Sequence, residues 1–128
     1  MEIAMLLYIA AVLLVLVGLF HTVLGGRKLI APIVRMDGLP KILGSVEMSR
    51  ITLRAGWHLL TLFWFGLAAV FVGVATEPSA LPPLFYGVFA AVFAISGFGA
   101  IILSRGNHLS WAFFLPLSAI CGWLALGL

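Results

Sequence analysis

Three histidines, His21, His58 and His108, each stand close to the end of an apolar run. Burying an ionisable side chain just inside an apolar span costs free energy that packing alone does not return, so each is a functional-site candidate. His21 lies about one turn before Gly25-Gly26. His58 lies about one turn beyond Arg54, in the stretch Arg54-Ala55-Gly56-Trp57-His58-Leu59-Leu60-Thr61, and His108 opens the last apolar run. Three imidazoles converging from separate helices would suit zinc, copper or iron with one open position. Two of them could hold a haem axially, and a histidine that titrates near neutrality could serve a proton or contact a quinone. The sequence separations match no zinc-binding spacing, yet in helical bundles such sites are built by side chains on facing helices. The plain alternative is that each histidine bonds a carbonyl, a lipid headgroup or water at a helix end, with His108 a simple helix-start residue.

The neighbours of these histidines bear on the choice. Gly18 and Gly25, at i−3 and i+4 from His21, leave one helix face bare beside the imidazole and permit close approach of another helix. Thr61, at i+3 from His58, is placed to donate to it or to a ligand. No carboxylate lies inside an apolar run, which argues against a carboxylate-driven antiporter or a di-carboxylate metal centre.

The elements that must position these residues follow from composition. With 64% hydrophobic and 9% charged residues and a mean hydropathy of +1.27, the chain is far from the soluble range, where roughly a quarter of residues are charged. It reads as an all-α membrane protein of a single domain. Four transmembrane helices, about 3–24, 55–75, 84–103 and 109–126, form an antiparallel bundle, with an amphipathic cytoplasmic segment between the first and second. A cleavable signal peptide is the competing reading of the first run; Glu2 where a basic region belongs, the length of the run and the lack of a cleavage signal argue against it. Gly25-Gly26 with Arg27 and Lys28 is expected to end the first helix. The segment from Arg27 to Arg54, broken by Pro32, Gly38, Pro40 and Gly44, is expected to lie along the membrane surface, with a short helix from Pro40. The turn at 76–80 and the turn Ser104-Arg105-Gly106-Asn107 are short enough to make their helices antiparallel neighbours.

All seven Lys and Arg residues fall in the central segment or at Arg105. The positive-inside rule therefore makes that side cytoplasmic and puts both termini on the other. His21, His58 and His108 then share one membrane level. The calculated pI of 9.6 reflects topology and contacts to anionic lipid rather than nucleic acid, with Arg27, Lys28, Arg54 and Arg105 expected at headgroups. Cys121, the single cysteine, excludes an internal disulfide; with Ser118 it reads as packing and interhelical bonding.

Gly66, Ala69 and Gly73 recur at i, i+3 and i+7, and Ala90 and Ala94 form a second small-residue pair. Such stripes let helix backbones approach, within the bundle or between copies of it. Phe85, Phe89 and Phe93 form a ridge that fills a groove, faces lipid or takes a quinone or lipid tail. Trp57 and Trp111 read as the cytoplasmic aromatic belt, Tyr86 and Trp123 as the opposite one. No nucleotide-binding loop, catalytic triad spacing or CxxC pair is present, so no familiar enzyme motif is visible.

The stretch Phe20-His21-Thr22-Val23-Leu24-Gly25-Gly26-Arg27-Lys28-Leu29-Ile30-Ala31-Pro32, followed by Ala55-Gly56-Trp57-His58-Leu59-Leu60-Thr61, resembles small uncharacterised bacterial inner-membrane proteins with four predicted helices. The resemblance implies an inner-membrane setting and no particular activity. Two functions stand against each other. One is a cytoplasmic-leaflet site of His21, His58 and His108 holding a transition metal ion or haem. The other is a small channel, transporter or accessory subunit, a homo-oligomer or a companion of another membrane subunit, in which the histidines tune gating or packing.

Overall fold

The computed structural model describes residues 2–77 and 81–127, and the expected turn at 76–80 lies mostly outside them. The described chain is helical and has no strand: α1 (Ile3–Leu19), a π-helical stretch (Phe20–Ile30), α2 (Ala31–Val34), α3 (Val46–Thr76), α4 (Pro83–Ser104) and α5 (Trp111–Leu126). The first three elements run on as one helix of 32 residues. That helix, α3 with 31 residues and α4 with 22 are each long and apolar enough to cross a membrane; α5 is a shorter apolar helix.

The structure corrects the expected boundaries of the central segment. The first helix does not stop at Gly25-Gly26 but continues to Val34, and no helix starts at Pro40. Instead α3 starts at Val46, which leaves only residues 35–45 irregular. Each glycine costs a helix about 1 kcal/mol against alanine, a penalty that tertiary packing overrides. Here Gly25 lies under the Trp57 indole and Gly26 beside the His58 ring. Widening to i→i+5 bonds, rare over so many residues, accommodates that approach. Pro32, without an amide proton, falls where the bonding changes back from π to α.

The chain forms two units, Val15–Gly66 and the remainder. In the Val15–Gly66 unit the two helices are antiparallel: Gly18 meets Phe65, Gly25 meets Trp57, and Arg50 Nε donates to the Val34 carbonyl at 2.8 Å. The connecting loop is closed by a tight turn in which Ile42 and Ser45 exchange backbone bonds of 3.3 and 3.1 Å. Its central residues Leu43 and Gly44 have φ of +47° and +84°. For Leu43 that left-handed backbone is strained, and its side chain is 87% exposed. Ser45 then caps α3 by accepting the Met48 amide at 3.1 Å, and the buried Ser49 hydroxyl donates to the Pro40 carbonyl.

The other unit has a core of Leu6, Leu7, Ala10, Ala11 and Leu14 from α1, Ala68 and Phe71 from α3, Tyr86 and Phe93 from α4, and Phe114, Leu117 and Cys121 from α5. The α1 positions recur with helical spacing. α4 and α5 form an antiparallel hairpin in which Phe93 stacks on Phe114 at 6.0 Å, the Ser118 hydroxyl donates to the Ala90 carbonyl at 2.8 Å, and Leu115 covers Gly97. Tyr86 is buried near Phe71 and Phe85, and so is not a belt residue. Large apolar side chains elsewhere remain exposed, among them Phe63, Ile95 and Ile102.

Candidate functional site

His21 stands in the first turn of the π-helical stretch and Trp57 opposite it on α3. Their rings stack with centroids 3.9 Å apart and planes 10° from parallel. The His21 Nε2–H donates to the Trp57 carbonyl at 3.1 Å, and the Trp57 indole N–H donates to the His21 carbonyl at 3.0 Å. Because a carbonyl only accepts, the first bond fixes the proton on Nε2. Trp64, two turns along α3, presents an edge to the same imidazole at 5.1 Å. The indole that the sequence assigns to an interfacial belt is thus turned onto the neighbouring helix.

One residue further on, the Thr22 hydroxyl and His58 Nδ1 share a hydrogen bond. Both histidines of this unit therefore tie the first helix to α3. Thr61 does not donate to His58 as expected. Its hydroxyl is buried, the residue being 4% exposed, and has no hydrogen-bond partner among the described residues. The ordinary i−4 acceptor for a helical threonine hydroxyl is the Trp57 carbonyl, which here takes His21.

His108 belongs to the other unit and sits three residues before α5 rather than in its first turn. Its amide donates to Ser104 Oγ at 2.9 Å, and its Nδ1 accepts the Ser110 amide and is 2.8 Å from the Ser110 hydroxyl. Arg105, at φ +53°, ends α4, and the Trp111 indole donates to the Gly106 carbonyl at 3.2 Å, so this is a locally bonded turn. Among the described residues no group of three or more His, Cys, Asp or Glu side chains could hold a metal ion. The expected centre of three imidazoles is not shown. Ligation through Nε2 of His21, for a metal or for haem iron, would first break its bond to α3.

The remaining candidates divide by surroundings. A Cβ on Gly18 would lie 2.6 Å from the Phe65 ring, and one on Gly97 2.6 Å from Leu115. Gly66 and Gly73 have open space at that position and Ala69 is exposed, so this stripe faces away from the chain's own packing. Ala90 and Ala94 are half-buried on α4, Ala90 taking the bond from Ser118. Arg27, Lys28 and Arg54 are exposed.

Sequence reasoning missed Thr22 as a partner of His58, the inward turn of Trp57 and the π-helical register. The glycines at i−3 and i+4 of His21 are the signal that a bulky residue from another helix belongs there. No family model, curated protein or solved structure matches the chain, so the site stands on its own geometry.

Proposed function

We propose that the protein is a multi-pass bacterial inner-membrane protein with four antiparallel spans, the basic loop cytoplasmic and both termini on the far side. Within it the paired histidines couple the first helix to α3 instead of holding a cofactor, and the chain works as a small channel, transporter or accessory subunit that assembles with further copies or another membrane subunit. The observation that carries the histidine reading is that both imidazoles are engaged across the helix pair, His21 with the Trp57 backbone and His58 with Thr22. The apolar exposed faces support membrane insertion, since soluble monomers rarely expose such contiguous surface. The outward Gly66, Ala69 and Gly73 support assembly, because small residues let helices of separate chains approach in lipid.

The test is to purify the protein without a polyhistidine tag in mild detergent and to measure its visible spectrum, metal content and copy number. A colourless protein with well under one metal per chain, whose copy number falls in Gly66→Leu but not in His58→Ala, is the expected result. A Soret band, or about one metal ion per chain lost in His58→Ala, would overturn it in favour of a cofactor site.

A further inference from the structure

We propose that the Val15–Gly66 unit carries a site for the phosphate of an anionic phospholipid, formed by Arg27 and Lys28 on the π-helical stretch and Arg54 on α3. The inference rests on the membrane reading given above. The antiparallel register is set by Gly25 against Trp57 and Gly26 against His58. One or two residues outward along the first helix, and three or four back along α3, Arg27, Lys28 and Arg54 stand at one level of the helix pair. On α3 itself Arg50, Arg54 and His58 recur at i, i+4 and i+8 and make one row of basic groups.

Like charges at this spacing repel unless something negative lies among them. Arg50 has its own compensation, from Glu47 at 3.5 Å and from the Val34 carbonyl. Among the described residues the side chains of Arg27, Lys28 and Arg54 have no ion pair or hydrogen bond, and Arg50–Glu47 is the single salt bridge. The nearest negative charge of the right kind is a lipid phosphate, for two reasons. First, the cations stand where the uncharged runs 3–24 and 55–76 end, which is the level of headgroups in a bilayer. Second, Val23, Leu24, Leu29 and Leu53 beside them are exposed apolar surface against which acyl chains can lie. A guanidinium suits phosphate through its paired donors, and the lysine adds a point charge. Their shared level on two paired helices separates this from ordinary snorkelling: Arg105, on the turn after α4, is the one cation of its turn.

The test places the full chain in nanodiscs of phosphatidylcholine alone or with phosphatidylglycerol, and reads the thermal midpoint together with lipid retained in native mass spectrometry. The wild type is expected to be stabilised by phosphatidylglycerol and to keep one copy of it. Lys28→Gln and Arg54→Gln should lower that retention roughly tenfold each. Arg54→Lys, which keeps the charge and guards against a folding artefact, should retain part, and Arg105→Gln should match wild type. Equal retention in Arg54→Gln and wild type, or an equal loss in Arg105→Gln, would overturn the site. So would the same stabilisation from inorganic phosphate added to phosphatidylcholine discs, which would make the occupant a free anion. Failure to enter discs of either composition would instead overturn the membrane reading.

Discussion

The side chains of His21 and Trp57 each bond the backbone carbonyl of the other, at 3.1 and 3.0 Å, while their rings stack at 3.9 Å. Two polar groups that would each carry a desolvation cost inside an apolar helix pair are thereby satisfied in one contact, and two helices are fixed in rotation as well as in separation. A single stacked pair or a single hydrogen bond would leave one of those freedoms open.

That reciprocity makes the two residues energetically inseparable. Interhelical hydrogen bonds between membrane helices contribute about 0.6 kcal/mol on average and up to about 1.7. His21→Ala loses the stack as well as one such bond, and is expected to lower unfolding free energy in detergent by about 2 kcal/mol; Trp57→Phe, which keeps a ring but loses the indole N–H, by about 1. The double variant should lose less than the two combined by about 0.5–1.5 kcal/mol. A double-mutant cycle on reversible unfolding measures this, and strict additivity would show that the pair is not coupled.

Thr61 gives a prediction whose sign depends on background. In the wild type its hydroxyl is buried with no partner among the described residues, which costs about 1–3 kcal/mol, while its i−4 acceptor, the Trp57 carbonyl, takes His21. Thr61→Val should therefore be neutral to stabilising by about 1 kcal/mol. In a His21→Ala background the carbonyl is released and the hydroxyl can bond it, so the same valine substitution should become destabilising by about 0.5–1 kcal/mol. Unfolding midpoints of the four proteins settle the matter. The same sign in both backgrounds would mean that His21 and Thr61 do not compete.

How much of this was legible in the sequence depends on the kind of signal. That His21 and His58 belong to two separate apolar helices could be read by counting charge and apolar run length. Their place along those helices could not: with the first helix running to Val34 and α3 starting at Val46, each lies about three turns from the helix end instead of one. Which faces pack could not be read. Leu7 is 1% exposed and Ile3 60%, although both are equally apolar, because α1 is apolar all round and no polar face marks its outside. Gly25-Gly26 misled in the opposite direction, as local propensity gave way to the packing of Trp57 and His58. His108 shows the limit of reasoning by depth. It lies three residues ahead of the last helix instead of at its start, it belongs to a different unit from His21 and His58, and its bonds stay within its own turn.

The glycines divide into two groups that behave oppositely. Gly18, Gly25 and Gly97 lie under Phe65, Trp57 and Leu115, closely enough that an added Cβ forces those side chains to shift. For Gly18 and Gly25 the obstacle is a ring, which has few ways to give, and overpacking of this kind costs about 1–3 kcal/mol. Gly66 and Gly73 have nothing within 4 Å of that position. There alanine adds no clash and removes the entropy cost of a helical glycine, a gain of up to about 1 kcal/mol. Gly18→Ala and Gly25→Ala should thus lower the thermal midpoint of the isolated chain, whereas Gly66→Ala and Gly73→Ala should hold or raise it. Equal effects in the two groups would mean that helix propensity, not close approach, governs these positions. A drop at Gly66 or Gly73 that disappears on dilution to the single chain would instead place their cost at a contact between copies, where the outward stripe predicts it.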